Sequence, residues 1–539
     1  MIIDRLADRV FRLPGPVRPV RVDRGRRVPL RDGVTLEADH YVPSGEPAGT
    51  LLVRGPYGLG FPFDQLYARP YAARGYHVLF VASRGTADSE GDFDPMRTER
   101  DDGQDVVAWL IAQPWFTGTF ATVGPSYLGY TQWAILENPP PQMAAAVITV
   151  GPHDFARHCW GTGAMNLDLV GWSDMMARRR RGPGRPNLVA AQLAEAVRGP
   201  GRRRALRPVF TDLPIADAAD RHYAGRAPWF RDRVTRPDLS DPYWEPMRHG
   251  AALDRVSIPI LLLSGWQDLF LGQTIEQYHH LRTRGVDVAL TVGPWAHQEA
   301  IGKGSAVLIP ETLDWLAAKM SGRPLRRRSP VHVQVTGTDE WRDLDAWPPP
   351  TRDLVFHLRP GGGLGTAAAD GGEAVFTFDP ADPTPAMGGP MLDNGGYTDD
   401  TALADRADVL AFTGAPLSAP LEVQGSPTVT LRHGSDNPHA DLFVRLSEVD
   451  PKGRSRNVTE GYLRLPPDRE SRTTVRLLPT AHRFAVGSRL RVLIAGGCHP
   501  QFLRNLGTAD NPGTGDTMTP VRHHITLSDS TLRLPTAFS

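Results

Sequence analysis

The sequence predicts an α/β protein: a doubly wound, mostly parallel sheet, interrupted by an inserted helical segment and followed by a β-sandwich of jelly-roll type. Three observations predict it. Between Leu51 and Pro152 short apolar runs alternate with helical periodicity, the pattern of βαβ units. The alternation breaks at His153 and resumes in the apolar runs 258–263 and 288–292, so one sheet is split by an insertion. After Arg328 helical periodicity nearly vanishes, and period-two runs separated by Gly, Pro, Asp and Asn take over. The chain has 539 residues, beyond the ~250–300 at which a single core stops growing, so several domains are expected.

Taken in order, residues 51–53 and 76–82 have the composition of buried strands. Residues 105–113 follow as a helix, with Val106, Trp109 and Leu110 at i, i+3, i+4 and Pro114 as the stop. Residues 120–123 form the next strand and 127–136 the next helix. This assigns 1–152 and 249–328 to the two parts of the α/β core. Residues 153–248, rich in Arg, Met and Trp, form a helical lid over it. The arginine runs 178–181 and 202–204 inside the lid are solvated loops in this reading. Residues 329–539 make the jelly roll, in which 441–446 and 489–494 alternate at period two and glycines at 361–363 and 371–372 bracket a low-complexity loop.

Composition excludes several classes of function. The chain is 40% hydrophobic and 22% charged, as soluble globular proteins are. Sixty basic residues balance sixty acidic ones, which argues against wrapping nucleic acid or coating an anionic membrane. Two distant cysteines, Cys159 and Cys498, do not make a disulfide scaffold. Met1-Ile2-Ile3-Asp4-Arg5 places charges where a signal peptide needs an apolar stretch. The longest apolar runs fall far short of the ~18 residues of a membrane span. A cytoplasmic location is the expectation.

The strongest chemical signal is Val123-Gly124-Pro125-Ser126-Tyr127-Leu128-Gly129. A strand ends in glycine, a serine follows two residues on, and a helix begins at once: the context of a nucleophile elbow, with the hydroxyl exposed on a strained turn. The second glycine falls one position later than in G-x-S-x-G, and a Gly-x-Ser at such a place also serves as a plain tight turn. A nucleophilic serine needs a base and an orienting carboxylate, in the order Ser, Asp, His in α/β-hydrolases. The two resumed strands run into Asp268 and His297 respectively, so type, order and placement agree. Alone, Asp268 is a helix N-cap and His297 a surface histidine; with Ser126 those readings need three coincidences. The backbone N–H of Tyr127 is one expected oxyanion donor. The phenol of Tyr57, after the strand at 51–53, is a candidate for the second, although the pattern also fits an ordinary strand-end tyrosine.

These residues resemble a known bacterial family, that of cocaine esterases, X-prolyl dipeptidyl-peptidases and α-amino acid ester hydrolases, over nearly the whole chain. Val28-Pro29-Leu30-Arg31-Asp32-Gly33 is similar to its opening strands, Arg54-Gly55-Pro56-Tyr57 to its Arg-x-Pro-Tyr, and Arg84-Gly85 with Ser89-Glu90-Gly91 to its Arg-Gly-x-Gly-x-Ser-x-Gly. Ala481-His482-Arg483 and Arg489-Leu490-Arg491-Val492 resemble its jelly-roll signature. The family's elbow is Gly-x-Ser-Tyr-x-Gly, which accounts for the displaced Gly129. Two departures are Pro125 before the serine and Ala87 where the second glycine of the Arg-Gly stretch is expected. The resemblance implies an α/β-hydrolase core with Ser126 as nucleophile, Asp268 as orienting acid and His297 as base. It implies Tyr57 and Tyr127 as the oxyanion hole, and Trp160, Trp172, Trp266 and Phe270 as walls of an apolar acyl pocket, each of which has packing of the lid onto the core as its other reading.

The function so implied is a serine hydrolase of carboxylic esters, with amides a second class, acting through an acyl-enzyme on a small-molecule substrate. No metal or cofactor is implied; His153, Asp154 and His158 lack a recognised ligand spacing. No nucleic-acid or membrane partner is expected, and the jelly-roll and lid surfaces are candidates for pairing protomers as a homodimer. The alternatives are a peptidase releasing Xaa-Pro units, which requires an anionic subsite for the N-terminal amine; an acyltransferase with the same triad; and a non-enzymatic carbohydrate-binding protein using the jelly roll. Within the resembled family, the α-amino acid ester hydrolases carry further carboxylates just after the triad Asp to hold the substrate ammonium, whereas here Asp268 is followed by the apolar Leu269-Phe270-Leu271.

Overall fold

The computed structural model describes residues 13, 17–179, 201 and 204–538. Ten strands among these form the first sheet: β1 (Val20–Pro29), β2 (Thr35–Pro43), β3 (Gly49–Gly55), β4 (Tyr76–Ala82), β5 (Phe120–Pro125), β6 (Met143–Thr149), β7 (Ile260–Gln267), β8 (Val288–Ala296), β9 (Val331–Gln334) and β10 (Trp341–Leu344). Their order is β1-β2-β4-β3-β5-β6-β7-β8-β9-β10. The first pairings are antiparallel, β4 through β9 run parallel, and β10 returns antiparallel on β9.

The central strands are buried on both faces, which is why they read as unbroken apolar runs rather than alternating ones. Period two still sorts their side chains. Leu51, Val53, Val78, Phe80, Leu261 and Leu263 join one apolar layer, and Leu52, Leu79, Val81, Ile260 and Leu262 the other. The edge strand β1 carries Arg21, Asp23, Arg24 and Arg27, charges that discourage pairing with another chain.

The helix after β4 starts at Glu99, six residues before the sequence periodicity announced it. Its first turn holds Glu99, Asp101 and Asp102, acids that favour a helix N-terminus but carry no apolar period. Between β6 and β7 the insertion contributes the helices Phe155–Trp160, Asp168–Arg179, Ile215–Tyr223 and Trp229–Val234. Arg178 pairs with Asp174 at 2.9 Å; residues 180, 181, 202 and 203 of the arginine runs lie outside the described residues. The lid's start is clamped to the core by Gln273, whose Oε1 accepts the N–H groups of His153 and Asp154, both at 2.9 Å.

Residues 331–344, assigned from sequence to the jelly roll, pair as β9 and β10 with the first sheet. They alternate like jelly-roll strands because they lie at the edge of the sheet, where only one face is well covered. From Thr351 onward the chain is a β-sandwich around its own apolar core, including Leu442, Val444, Val492 and Ile494. Its organising strand is Val521–Ala537, which pairs with Thr351–Arg359, Glu373–Phe378, Leu421–Gly425 and Thr428–Ser435. The two domains are stitched together by Gln267 Nε2 donating to Val458 O at 2.8 Å and Leu392 N–H donating to Asp168 Oδ1 at 3.0 Å. No helix among the described residues is long and apolar enough to cross a membrane.

Candidate active site

The site lies where β5, β7 and β8 end. Ser126 follows β5 with φ 58° and ψ −121°, a left-handed backbone that a non-glycine residue adopts only when its surroundings enforce it. They do so here. The Ser126 N–H donates to Thr149 O at 2.9 Å, and the helix Tyr127–Leu136 begins at once. At Gly129 an added Cβ would lie 2.8 Å from the Cα of Gly151. The displaced second glycine thus lets this helix pass against the chain leaving β6.

His297 stands at the end of β8 with Nε2 2.9 Å from Ser126 Oγ, and its Nδ1 is 2.6 Å from Asp268 Oδ1. Asp268 is fully buried. Its second oxygen accepts the Phe270 N–H at 3.0 Å and the Ser264 hydroxyl at 3.3 Å, so the carboxylate is held by protein donors on both oxygens. The three groups expected from sequence therefore form one hydrogen-bonded series on three strand ends. Such a series can draw a proton from the serine hydroxyl while the carboxylate fixes the imidazole's tautomer.

Tyr127 occupies the first turn of its helix, where an N–H has no intrahelical acceptor. Its side chain is committed elsewhere. The buried phenol donates to Glu99 Oε1 at 2.8 Å and accepts the Met96 N–H at 2.9 Å, and burial, with the Glu99 charge beside it, holds its ionisation well above the usual tyrosine range. Glu99 in turn is paired with Arg54 at 2.8 Å, both almost fully buried. Tyr57 reaches the same cavity as Ser126, and its phenol oxygen accepts the Trp172 indole N–H at 3.2 Å.

The cavity at Ser126 is small, about 40 Å³. Trp172 lines it, its ring stacked 6.1 Å from that of Tyr127. So does Phe270, whose ring stands edge-on to His297 at 5.5 Å. The other two tryptophans expected in the pocket do not. Trp266 belongs to the opposite apolar layer, against Trp347, with its indole N–H on Gln334 O at 2.7 Å; the strand's alternation turns it to the far face of the sheet. Trp160 is buried inside the lid packing and donates to Arg233 O at 2.9 Å.

The lining groups not expected from sequence include His158, Leu392 and Asp168. His158 packs edge-on against Phe270 at 4.7 Å, and burial, with His297 nearby, pulls its ionisation down to about 3. Leu392 arrives from the second domain, and Asp168 from the first turn of the lid helix. Of the loose acid–histidine cluster, Asp154 is a helix cap that accepts the Arg157 N–H at 2.9 Å, and His153 contacts Gln277 at 3.2 Å.

Comparison with known proteins agrees with this architecture. Residues 32–299 match the model of the X-Pro dipeptidyl-peptidase (S15 family), and residues 325–532 that of the X-Pro dipeptidyl-peptidase C-terminal non-catalytic domain. The chain is 29% identical to a cocaine esterase of Rhodococcus sp. (strain MB1 Bresler), over 89% of this chain and 92% of that one. Among solved structures it resembles an α-amino acid ester hydrolase, with a TM-score of 0.80 at 21% identity over 96% of this chain and 97% of the other. An aminopeptidase from a marine-sediment Thaumarchaeota archaeon is similar at the same TM-score of 0.80, with 20% identity and 97% of each chain covered.

Proposed function

The chain belongs to the X-Pro dipeptidyl-peptidase (S15) family of serine hydrolases, and from that premise we propose that it cleaves carboxylic esters through an acyl-enzyme formed on Ser126. The observation that carries the proposal is the series Ser126 Oγ, His297 Nε2, His297 Nδ1 and Asp268 Oδ1, with separations of 2.9 and 2.6 Å. The similarity to a cocaine esterase over most of both chains supports the choice of an ester, with amides as the second substrate class.

His297 removes the proton from Ser126 as the hydroxyl attacks the ester carbonyl. Asp268 stabilises the imidazolium that results, without itself taking the proton. Negative charge gathers on the former carbonyl oxygen, where the Tyr127 N–H and the Tyr57 phenol donate to it; the benefit is large because the site is shielded from water. The tetrahedral intermediate collapses as His297 protonates the departing alcohol, leaving the acyl group on Ser126. Water, deprotonated by His297, then attacks the acyl-enzyme, and the serine and the carboxylic acid are released. Trp172, Phe270 and Leu169 give the acyl group an apolar seat.

A fluorophosphonate probe with peptide mass mapping tests the proposal. The adduct is expected on Ser126 and is expected to vanish in His297→Ala. Folded protein that takes no label, or takes it on another serine, would remove the assignment.

A further inference from the structure

The wall of the Ser126 cavity contains a strained residue that the proposed chemistry does not use. Met96 lies in the loop before the helix that starts at Glu99, with φ 71°. That left-handed conformation is costly for a residue with a Cβ, and turns ordinarily give it to glycine or asparagine. The surroundings of Met96 hold it there. Its N–H donates to the Tyr127 phenol at 2.9 Å, and its carbonyl accepts the Tyr130 phenol at 2.6 Å. Both rings stand on the helix that follows the nucleophile, one turn apart. Arg233 of the lid donates to the neighbouring Pro95 carbonyl. Strained residues persist where the structure around them over-determines them, and they gather at reaction sites. A glycine would make this turn without strain. What it would lack is the Met96 side chain, which is buried and lines the cavity.

The cavity has an open side and a closed one. His158 and Leu269 border both the cavity and a cleft of about 830 Å³, which runs between the start of the lid, the helix Leu271–Thr283 and the second domain. Met96 borders the cavity and not the cleft. A leaving alcohol must depart by the open side, whereas the acyl group stays on Ser126, so the enclosed space belongs to the acyl group. Its volume, about 40 Å³, is roughly that of three water-sized groups.

We propose that Met96 is a specificity-determining residue whose clamped side chain restricts the acyl group to short chains, up to about a butanoyl group, while the cleft takes alcohols of widely differing size. The proposal rests on the ester-hydrolase reading and narrows it to esters of short acids. The clamp is what makes the limit steep. A side chain whose backbone is tied at both its N–H and its carbonyl to the nucleophile's own helix cannot retreat from a longer acyl chain without disturbing that helix.

Four esters test this: 4-nitrophenyl acetate, butanoate and hexanoate, which vary the acyl group, and 2-naphthyl acetate, which varies the alcohol alone. Each is assayed on the intact wild-type chain, Met96→Ala, Met96→Gly and Met96→Leu, with kcat/KM read relative to 4-nitrophenyl acetate within each protein. Fluorophosphonate labelling of each variant confirms an assembled site, and Met96→Gly serves if Met96→Ala does not fold. The wild type is expected to fall at least about tenfold from butanoate to hexanoate. Met96→Ala and Met96→Gly are expected to raise the hexanoate ratio by at least about tenfold, the scale of two newly buried methylenes. Met96→Leu, close to methionine in volume, is expected to keep the limit, and the naphthyl ratio to stay level in all four proteins. Met96→Gly is also expected to unfold at a higher temperature than Met96→Ala, because glycine alone relieves the backbone. A wild type that accepts hexanoate as readily as butanoate overturns the proposal while leaving ester hydrolysis intact. So does a hexanoate ratio unmoved by either small residue, a change confined to the naphthyl ester, or a glycine variant less stable than the alanine one. Failure of the wild type on all four esters overturns both readings.

Discussion

Replacing Tyr57 by phenylalanine removes one oxygen and tests whether the phenol serves the reaction or only the packing. In the folded chain the Tyr57 oxygen accepts the Trp172 indole N–H at 3.2 Å. Loss of one oxyanion donor costs about 2.7–4 kcal/mol of transition-state stabilisation, equivalent to a fall in kcat of roughly 100- to 900-fold. The effect on the fold is of a different size. The ring keeps its contacts with Phe63 at 5.9 Å and Tyr127 at 6.3 Å, and the stranded Trp172 N–H costs about 1–3 kcal/mol. Trp172→Phe is the control, since it releases the phenol's orientation but leaves its proton, and it is expected to lower kcat far less. The assay is kcat and KM on an activated ester, with thermal unfolding measured beside it. A Tyr57→Phe enzyme that retains more than about a fifth of wild-type kcat, or whose loss falls wholly in KM, would refute the oxyanion role, because a donor acting only on the developing charge must appear in kcat.

Two further outcomes follow from the buried charges. Arg54→Met strands Glu99, its partner at 2.8 Å with both side chains almost fully buried, and is expected to cost about 3–5 kcal/mol. The double variant Arg54→Met, Glu99→Gln is expected to recover more than half of that in denaturant unfolding; no recovery would mean that the pair is not the source. The chain should also lose stability in mild acid. Burial pulls the folded ionisation of His40, His158 and His523 down to about 3, and that of His153, His433 and His499 to about 4. Below about pH 6.5 the unfolded chain therefore binds protons that the folded chain refuses at these six histidines, and stability, full above that pH, is lost as the pH falls towards 4. Asp168, whose carboxyl is raised by burial to about 7, acts in the opposite sense, since there the folded chain binds the proton first. Unfolding midpoints that stay level from pH 7 to pH 5 would contradict this loss of stability.

The parts of the site legible in the sequence are those tied to the ends of long apolar strands. Ser126, Asp268 and His297 each follow a run whose burial leaves no doubt about where the strand stops, and their order along the chain is a strong constraint. Trp266 shows the limit of that logic. Its position beside Asp268 was visible, but the face on which it emerges depends on the parity of the strand and on the turn that follows. The strands Val331–Gln334 and Trp341–Leu344 carry a period-two pattern that suits either sheet, and only their pairing decides between them. Asp168 gave no signal, because an acid opening a helix is ordinary in sequence; its meaning comes from Leu392, more than two hundred residues away. His158 was visible as a residue but not as a wall of the cavity, since that depends on how the lid folds over Phe270.

The strand Val521–Ala537 bears on how the enzyme is born. It lies after every strand it joins, so a nascent chain can assemble the first sheet, with the serine, acid and histidine in place, well before the sandwich has its organising member. Leu392, which lines the cavity and secures Asp168, belongs to that unfinished sandwich. The series Ser126, His297 and Asp268 is thus placed early and the Leu392 wall of its cavity late, so that completion of the cavity waits on translation through the last strand.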